Sequence, residues 1–175
     1  EGDLRLAVIP TLAPYLLPLF LDKFAESYPK VRLFVEESKT DDIVVALQQN
    51  QIDIGLLVTP LQEEVLVEHP LFHEPFYVYA SPTSKLANQL TVAEKDLQDE
   101  DLLLLTEGHC MREQVLKFCR HKESKPGRRM QFESGSIETL CHLVERGHGY
   151  TVIPHLARMW QESPAGRVIP FSKPT

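Results

Sequence analysis

LRLAVIPTLAPYLLPLFLDKFAESYPKVRLFV, running from Leu4 to Val35, decides the fold. Leu4 to Ile9 reads as a strand, and Pro14 to Tyr28 carries helical spacing in Leu17, Phe20, Leu21 and Phe24. Val31 to Val35 is a second strand, Asp41 to Gln49 a helix, and Ile52 to Val58 a third strand. Strands that alternate with helices in this order build a parallel sheet with helices on both faces, because each parallel connection must cross over the sheet.

A polar stretch from Thr59 to Glu68 closes this series. Phe76 to Ala80 then reads as a strand and Ser81-Pro82-Thr83-Ser84 as a turn. In the second series, Leu102 to Leu105 is a strand, Met111 to Cys119 a helix free of Gly and Pro, and Lys122 to Gly127 a loop. Arg129 to Phe132 is a strand, Ile137 to Arg146 a helix and Tyr150 to Ile153 a strand. Leu156 to Trp160 is a short helix and Val168 to Phe171 a last strand. The expected architecture is α/β in two lobes, residues 1–77 and 78–175, joined near Phe76–Ala80.

The turn Glu107-Gly108 hands the chain to His109-Cys110-Met111-Arg112 and puts Cys110 at or near a helix N-terminus. Free backbone N–H groups, the positive end of the helix dipole and the Arg112 guanidinium all favour a thiolate there. The thiolate is the form that attacks peroxide or a disulfide. Cys119 follows nine residues later. In an intact helix that step spans roughly 13 Å and ends on the opposite face, whereas a disulfide needs Cα atoms within about 7 Å. Met111, Val115, Leu116, Phe118 and Cys119 share an apolar arc, while Cys110 falls among Glu113, Gln114 and Lys117. This wheel predicts a buried Cys119, an accessible Cys110, and a bond between them only if the helix unwinds. On the residues alone, a reactive thiol and a plain packing residue both stay open at Cys110. Cys141, inside a helical stretch, reads as structural, and three cysteines make no disulfide scaffold.

Composition narrows the classes. With 43% hydrophobic residues in 175, a core can be filled, yet no apolar run reaches the length of a membrane span. No secretory signal precedes the first strand, and unpaired cysteines point to a reducing cytoplasm. A net charge of −7 argues against these residues gripping nucleic acid, and Arg128-Arg129 with Lys122 and Lys125 is a short cluster suited to a solvated loop. A metal site from His109, Cys110, Cys119 and His121 lacks ligand spacing, and no cofactor is expected.

Ligands of open α/β sheets gather beyond the carboxyl ends of the strands. Those positions here are Thr11, Thr40, Gly108-His109-Cys110 and Ser134-Gly135-Ser136. Small hydroxyl residues there suit a small polar ligand, though Thr40, Ser134 and Ser136 serve equally well as N-caps.

Ile9-Pro10-Thr11 followed by Pro14-Tyr15-Leu16-Leu17-Pro18, Phe24 and Tyr28-Pro29 resembles the opening of the effector-binding domain of LysR-type transcriptional regulators. Gln51-Ile52-Asp53-Ile54-Gly55 and Gly147-His148-Gly149-Tyr150-Thr151-Val152-Ile153-Pro154 resemble later segments of the same domain. Glu107 to Arg112 with Phe118-Cys119 is similar to the peroxide-sensing members, which carry Gly-His-Cys-x-Arg and a second cysteine nine residues on. The resemblance implies two Rossmann-like lobes of the type 2 periplasmic-binding-protein kind, joined by crossover strands. It implies that Cys110 is the peroxidatic cysteine, that Cys119 resolves it as a disulfide, and that Thr11, Thr40 and His109 hold hydrogen peroxide with Arg112 nearby. It further implies a glutaredoxin- or thioredoxin-like reductant, a homodimer through this domain, a homotetramer at full length and RNA polymerase as a partner. DNA would be bound only through an N-terminal winged helix-turn-helix that these residues do not include. In the family a closing strand and helix of the first lobe, and a basic residue near the thiol, lie just past the position of Thr175.

Two other readings compete. In one, the same domain binds a small organic ligand and the cysteines are structural; neutral Thr11 and Thr40 suit peroxide better than an organic anion. In the other the chain is a thiol peroxidase, a regulator being favoured because a buried resolving cysteine makes turnover slow.

Overall fold

A computed structural model describes residues 1–61, 63, 65–97, 101–119, 132–160 and 165–173, with the backbone alone at 118 and 119. The chain divides into two compact units: Glu1–His73 with Gly108–Cys110, and Glu74–Glu107 with Met111–Thr175.

The first unit follows the order β1 (Gly2–Val8), α1 (Ala13–Ser27), β2 (Val31–Glu37), α2 (Thr40–Gln48) and β3 (Ile54–Leu56). The strands form one parallel sheet in the order β2-β1-β3, with Leu6 of β1 in register with Val35 and Ile54. Side chains alternate across a strand, so β1 serves both faces. Ala7 and Ile9 join Ile43 and Ile52 in a buried cluster on the face that α2 covers. Gly55 lets α2 come down closely, since a Cβ there would stand 2.6 Å from Cγ2 of Ile43. On the other face Leu4, Leu6, Leu33, Ile54 and Leu56, with Leu16, Phe20 and Phe24 of α1, line an apolar groove of about 290 Å³.

The second unit holds β4 (Phe76–Ala80), two short 3-10 turns, β5 (Leu104–Leu105), most of α3 (Cys110–Cys119), β6 (Glu133–Ser134), α4 (Ile137–Glu145), β7 (Tyr150–Pro154), α5 (His155–Met159) and β8 (Arg167–Pro170). β4 runs antiparallel between β7 and β8, while β5 and β6 pair in parallel. Ile137, Leu140, Cys141 and Val144 form the buried stripe of α4 at helical spacing, so Cys141 is the packing residue its sequence suggests. The Tyr79 hydroxyl donates to Glu145 (2.7 Å) and accepts from the Gly166 N–H (3.1 Å). Burial and the Glu145 carboxylate hold that phenol well above its ordinary pKa, so it stays a donor.

Three expectations shift. The four leucines at 102–105 give a ladder only at Leu104–Leu105, and Leu102 makes a single bridge to Tyr150. Three of the four are buried, so burial rather than strand pairing wrote that run. The strand expected at Arg129 to Phe132 falls mostly outside the described residues, as does the loop at 122–127; the described strand is β6, just beyond. The wheel of α3 puts Cys110 on a polar, accessible face. In the structure it is half-buried and packs on the Ala7–Ile9–Ile43–Ile52 cluster, because a wheel registers only the helix's own residues.

Candidate functional site

The recess beside Cys110 is built inside the first unit. β1 ends at Val8, and Ile9-Pro10-Thr11 turns over the sheet edge into α1; Thr11 is 6% exposed. β2 ends at Glu37, and Ser38-Lys39 turns into α2 with Thr40 as its first residue. Gly108 takes a positive φ of 86°, a conformation that glycine adopts without strain, and this turns the chain so that His109-Cys110 meets both strand ends. Ile9, Pro10, Thr11, Lys39, Thr40, Gly108, His109 and Cys110 together line one tight recess.

Its polar groups are unevenly satisfied. Thr40 Oγ1 is buried and has no hydrogen-bond partner among the described residues. Thr40 is not a cap, since Lys39 holds the N-cap position of α2. An orphaned buried hydroxyl carries a desolvation penalty of about 1–3 kcal/mol unless something binds it. His109 is 8% exposed. Burial, and then the charge of Lys39, hold its pKa below the ordinary histidine value, so the ring is neutral near pH 7. A neutral imidazole both donates and accepts a hydrogen bond. Cys110 begins α3, where free N–H groups and the dipole favour its thiolate.

The structure therefore brings Thr11, Thr40, His109 and Cys110 to one recess. Arg112 is engaged elsewhere: its Nη1 donates to the Leu105 carbonyl (2.7 Å) and its Nη2 pairs with Glu133 (3.1 Å), both in the second unit. Ser136 accepts from the Thr139 N–H as the N-cap of α4, and Ser134 accepts from the Ser136 N–H, so these hydroxyls are caps. The Cys119 side chain lies outside what is described; its backbone closes α3. Lys39 is the recess residue that pattern reading missed, and its unusual place at an N-cap is the signal that could have found it. Among the described residues no three His, Cys, Asp or Glu side chains converge as metal ligands do.

The family model described as LysR substrate binding domain matches residues 1–175. The chain belongs to the LysR substrate-binding domain family. This LysR domain is 34% identical over 157 residues to the DNA-binding transcriptional dual regulator OxyR of Escherichia coli K12, covering 90% of the chain and 51% of that protein. It is 38% identical over 168 residues to a probable hydrogen peroxide-inducible genes activator of Streptomyces viridosporus, covering 96% and 54%. The chain thus spans about half the length of these curated relatives. Among solved structures, the reduced OxyR regulatory domain of Pseudomonas aeruginosa superposes with a TM-score of 0.84 at 33% identity, covering 98% of this chain and 83% of that one. A hydrogen peroxide-bound cysteine-to-serine variant of Corynebacterium glutamicum OxyR superposes at 0.86 and 30% identity, covering 98% and 54%. The two-lobed, type 2 periplasmic-binding-protein-like α/β fold is that of this LysR domain.

Proposed function

We propose that this domain senses hydrogen peroxide and that Cys110 is the thiol that reacts. The observation that carries the reading is the unpartnered Thr40 hydroxyl, buried in the same recess as Cys110 and His109. Peroxide offers two oxygens that donate and accept, so it can satisfy Thr40 Oγ1 and the neutral His109 together.

The Cys110 thiolate attacks one peroxide oxygen, and the O–O bond breaks. Sulfur is oxidised to a sulfenic acid, and the other oxygen leaves as hydroxide, which takes a proton to become water. Thr11, Thr40 and His109 orient the peroxide and stabilise the leaving oxygen, with Arg112 bracing the first turn of α3 through Leu105 and Glu133. The Cys119 thiol then displaces water from the sulfenic acid to give a disulfide. A dithiol reductant of the glutaredoxin or thioredoxin class reverses it. In a full-length regulator the switch would act through homodimers of this domain within a homotetramer, with DNA held by a winged helix-turn-helix and RNA polymerase as onward partner.

Thiol mass spectrometry after sub-stoichiometric hydrogen peroxide tests the assignment. Modification should appear first on Cys110 and then as a Cys110–Cys119 disulfide, and Cys110→Ser should abolish both. Oxidation of Cys119 or Cys141 ahead of Cys110 would reverse the roles.

A further inference from the structure

Lys39 sits at the N-cap of α2 with ordinary extended dihedrals, φ −69° and ψ 158°, yet its side chain makes no capping hydrogen bond. Ser, Thr, Asp and Asn suit that position because their oxygens take up a free helix N–H, and a cation there faces the positive end of the helix dipole. The lysine breaks a local rule, as residues retained for a site commonly do. Asp41 and Asp42, in the first turn, answer the dipole instead.

The side chain runs along the recess. A Cβ built on Gly108 would stand 3.1 Å from both Cδ and Nζ of Lys39, so the lysine stem lies against the bare Cα of Gly108. Its ammonium is thereby held over the loop that carries His109 and Cys110, and Lys39 lines the same recess as both. Burial, and after it the nearby Lys39 charge, lower the pKa of His109 in the same recess.

We propose that Lys39 supplies positive charge that, together with the start of α3, favours the thiolate form of the Cys110 sulfur. The inference rests on the reading of Cys110 as the reactive thiol. A cation within about 4–6 Å of an acid favours its charged form. Screening is weak on the Cys110 side, where the half-buried thiol packs on Ala7, Ile9, Ile43 and Ile52. The other charged groups of the surrounding segments are two cations of α3, Arg112, which pairs with Glu133, and Lys117, and six acids: Glu36 and Glu37 at the end of β2, Asp41 and Asp42, Glu107 before Gly108, and Glu113 in α3. The six acids and Lys39 itself are all exposed, so water and salt damp each of them, and what sets Lys39 apart is its closeness to the Gly108 turn beside His109 and Cys110. Neutral His109 adds no opposing charge. Lys39 acts through Cys110 and is a positioning residue.

The test compares Lys39→Met, which keeps the stem and removes the charge, with Lys39→Arg, which keeps the charge. Iodoacetamide alkylation of Cys110, resolved by peptide mass spectrometry across pH, reports the thiolate without using peroxide. In Lys39→Met the midpoint should move to higher pH, and alkylation below the midpoint should slow about tenfold. Lys39→Arg should restore the parent profile, and added salt should move the parent toward Lys39→Met. Superimposed profiles for the parent and Lys39→Met, in variants with unchanged circular dichroism, overturn the proposal. A parent that alkylates as expected yet forms no sulfenic acid with peroxide would sink the peroxide reading and leave the role of Lys39 standing.

Discussion

Thr40 and His109 show how one residue's surroundings set its chemistry. Thr40 Oγ1 is buried and has no hydrogen-bond partner among the described residues. Thr40→Val should therefore slow sulfenic acid formation about tenfold, the worth of one hydrogen bond of about 1.4 kcal/mol. It should leave stability unchanged or raised by up to about 1 kcal/mol, since it removes an orphaned hydroxyl. Equal peroxide rate constants in the two proteins would return Thr40 to a packing role. His109 gives a pH prediction. Burial, and secondarily Lys39, lower its pKa in the folded domain. Between that lowered value and about 6.5 the unfolded chain binds more protons than the folded one, so stability falls as pH drops through this window. The urea midpoint should fall more from pH 7 to pH 5 in the parent than in His109→Gln, and parallel curves would remove the assignment. The gathering of Thr11, Thr40, His109 and Cys110 was legible because all four stand at strand ends or the turns after them. The partners of Arg112 were not, because Leu105 and Glu133 reach it from outside its helix.

At the scale of elements, long periodic segments read clearly and short ones did not. α1, α2 and α4 lie within a residue or two of their sequence-based bounds, since each carries an apolar stripe and a clear stop. β5 and β6 are two-residue ladders, too short for any pattern of period two to form. The segment Gly147-His148-Gly149 shows what a turn demands. Gly149 has a φ of 53°, and a Cβ there would run into the Asp101 carbonyl, which accepts the Tyr150 N–H at 2.9 Å. Gly149→Ala should thus destabilise the domain by about 2–5 kcal/mol, combining left-handed strain with a backbone clash. Ser136→Ala, which removes the α4 cap and an exposed hydrogen bond to Glu138, should cost about 1 kcal/mol. Urea unfolding of both variants checks the order, and a Gly149→Ala midpoint at or above that of Ser136→Ala would contradict it.

For the molecule as a whole, alternation along the chain announces a two-part α/β protein, but the grouping of Gly108–Cys110 with Glu1–His73 is written only in long-range packing. That grouping makes oxidation a structural event. Cys110 and Cys119 are the first and last residues of α3, and an intact helix of this length separates them by roughly 13 Å, while a disulfide requires about 7 Å or less. If Cys110 and Cys119 bond, α3 must unwind, and the packing of Cys110 on the Ala7–Ile9–Ile43–Ile52 cluster is then strained or lost. Met111 and Val115, buried at 4% and 3% exposure, would be freed as the helix comes apart. Each costs about 1.5–3 kcal/mol if fully exposed, so the disulfide form should repack this segment rather than leave it bare. Amide hydrogen exchange in the reduced and disulfide forms reads the change directly. Protection across Met111 to Cys119 should be lost or redistributed on oxidation, and the first turn of α2, beside the vacated thiol position, should loosen with it. Protection in β4 and β7, which pair through five residues far along the chain from either cysteine, should stay the same. If α3 kept its full protection in a protein shown by mass spectrometry to carry the Cys110–Cys119 bond, the helix would not be the moving part of the switch.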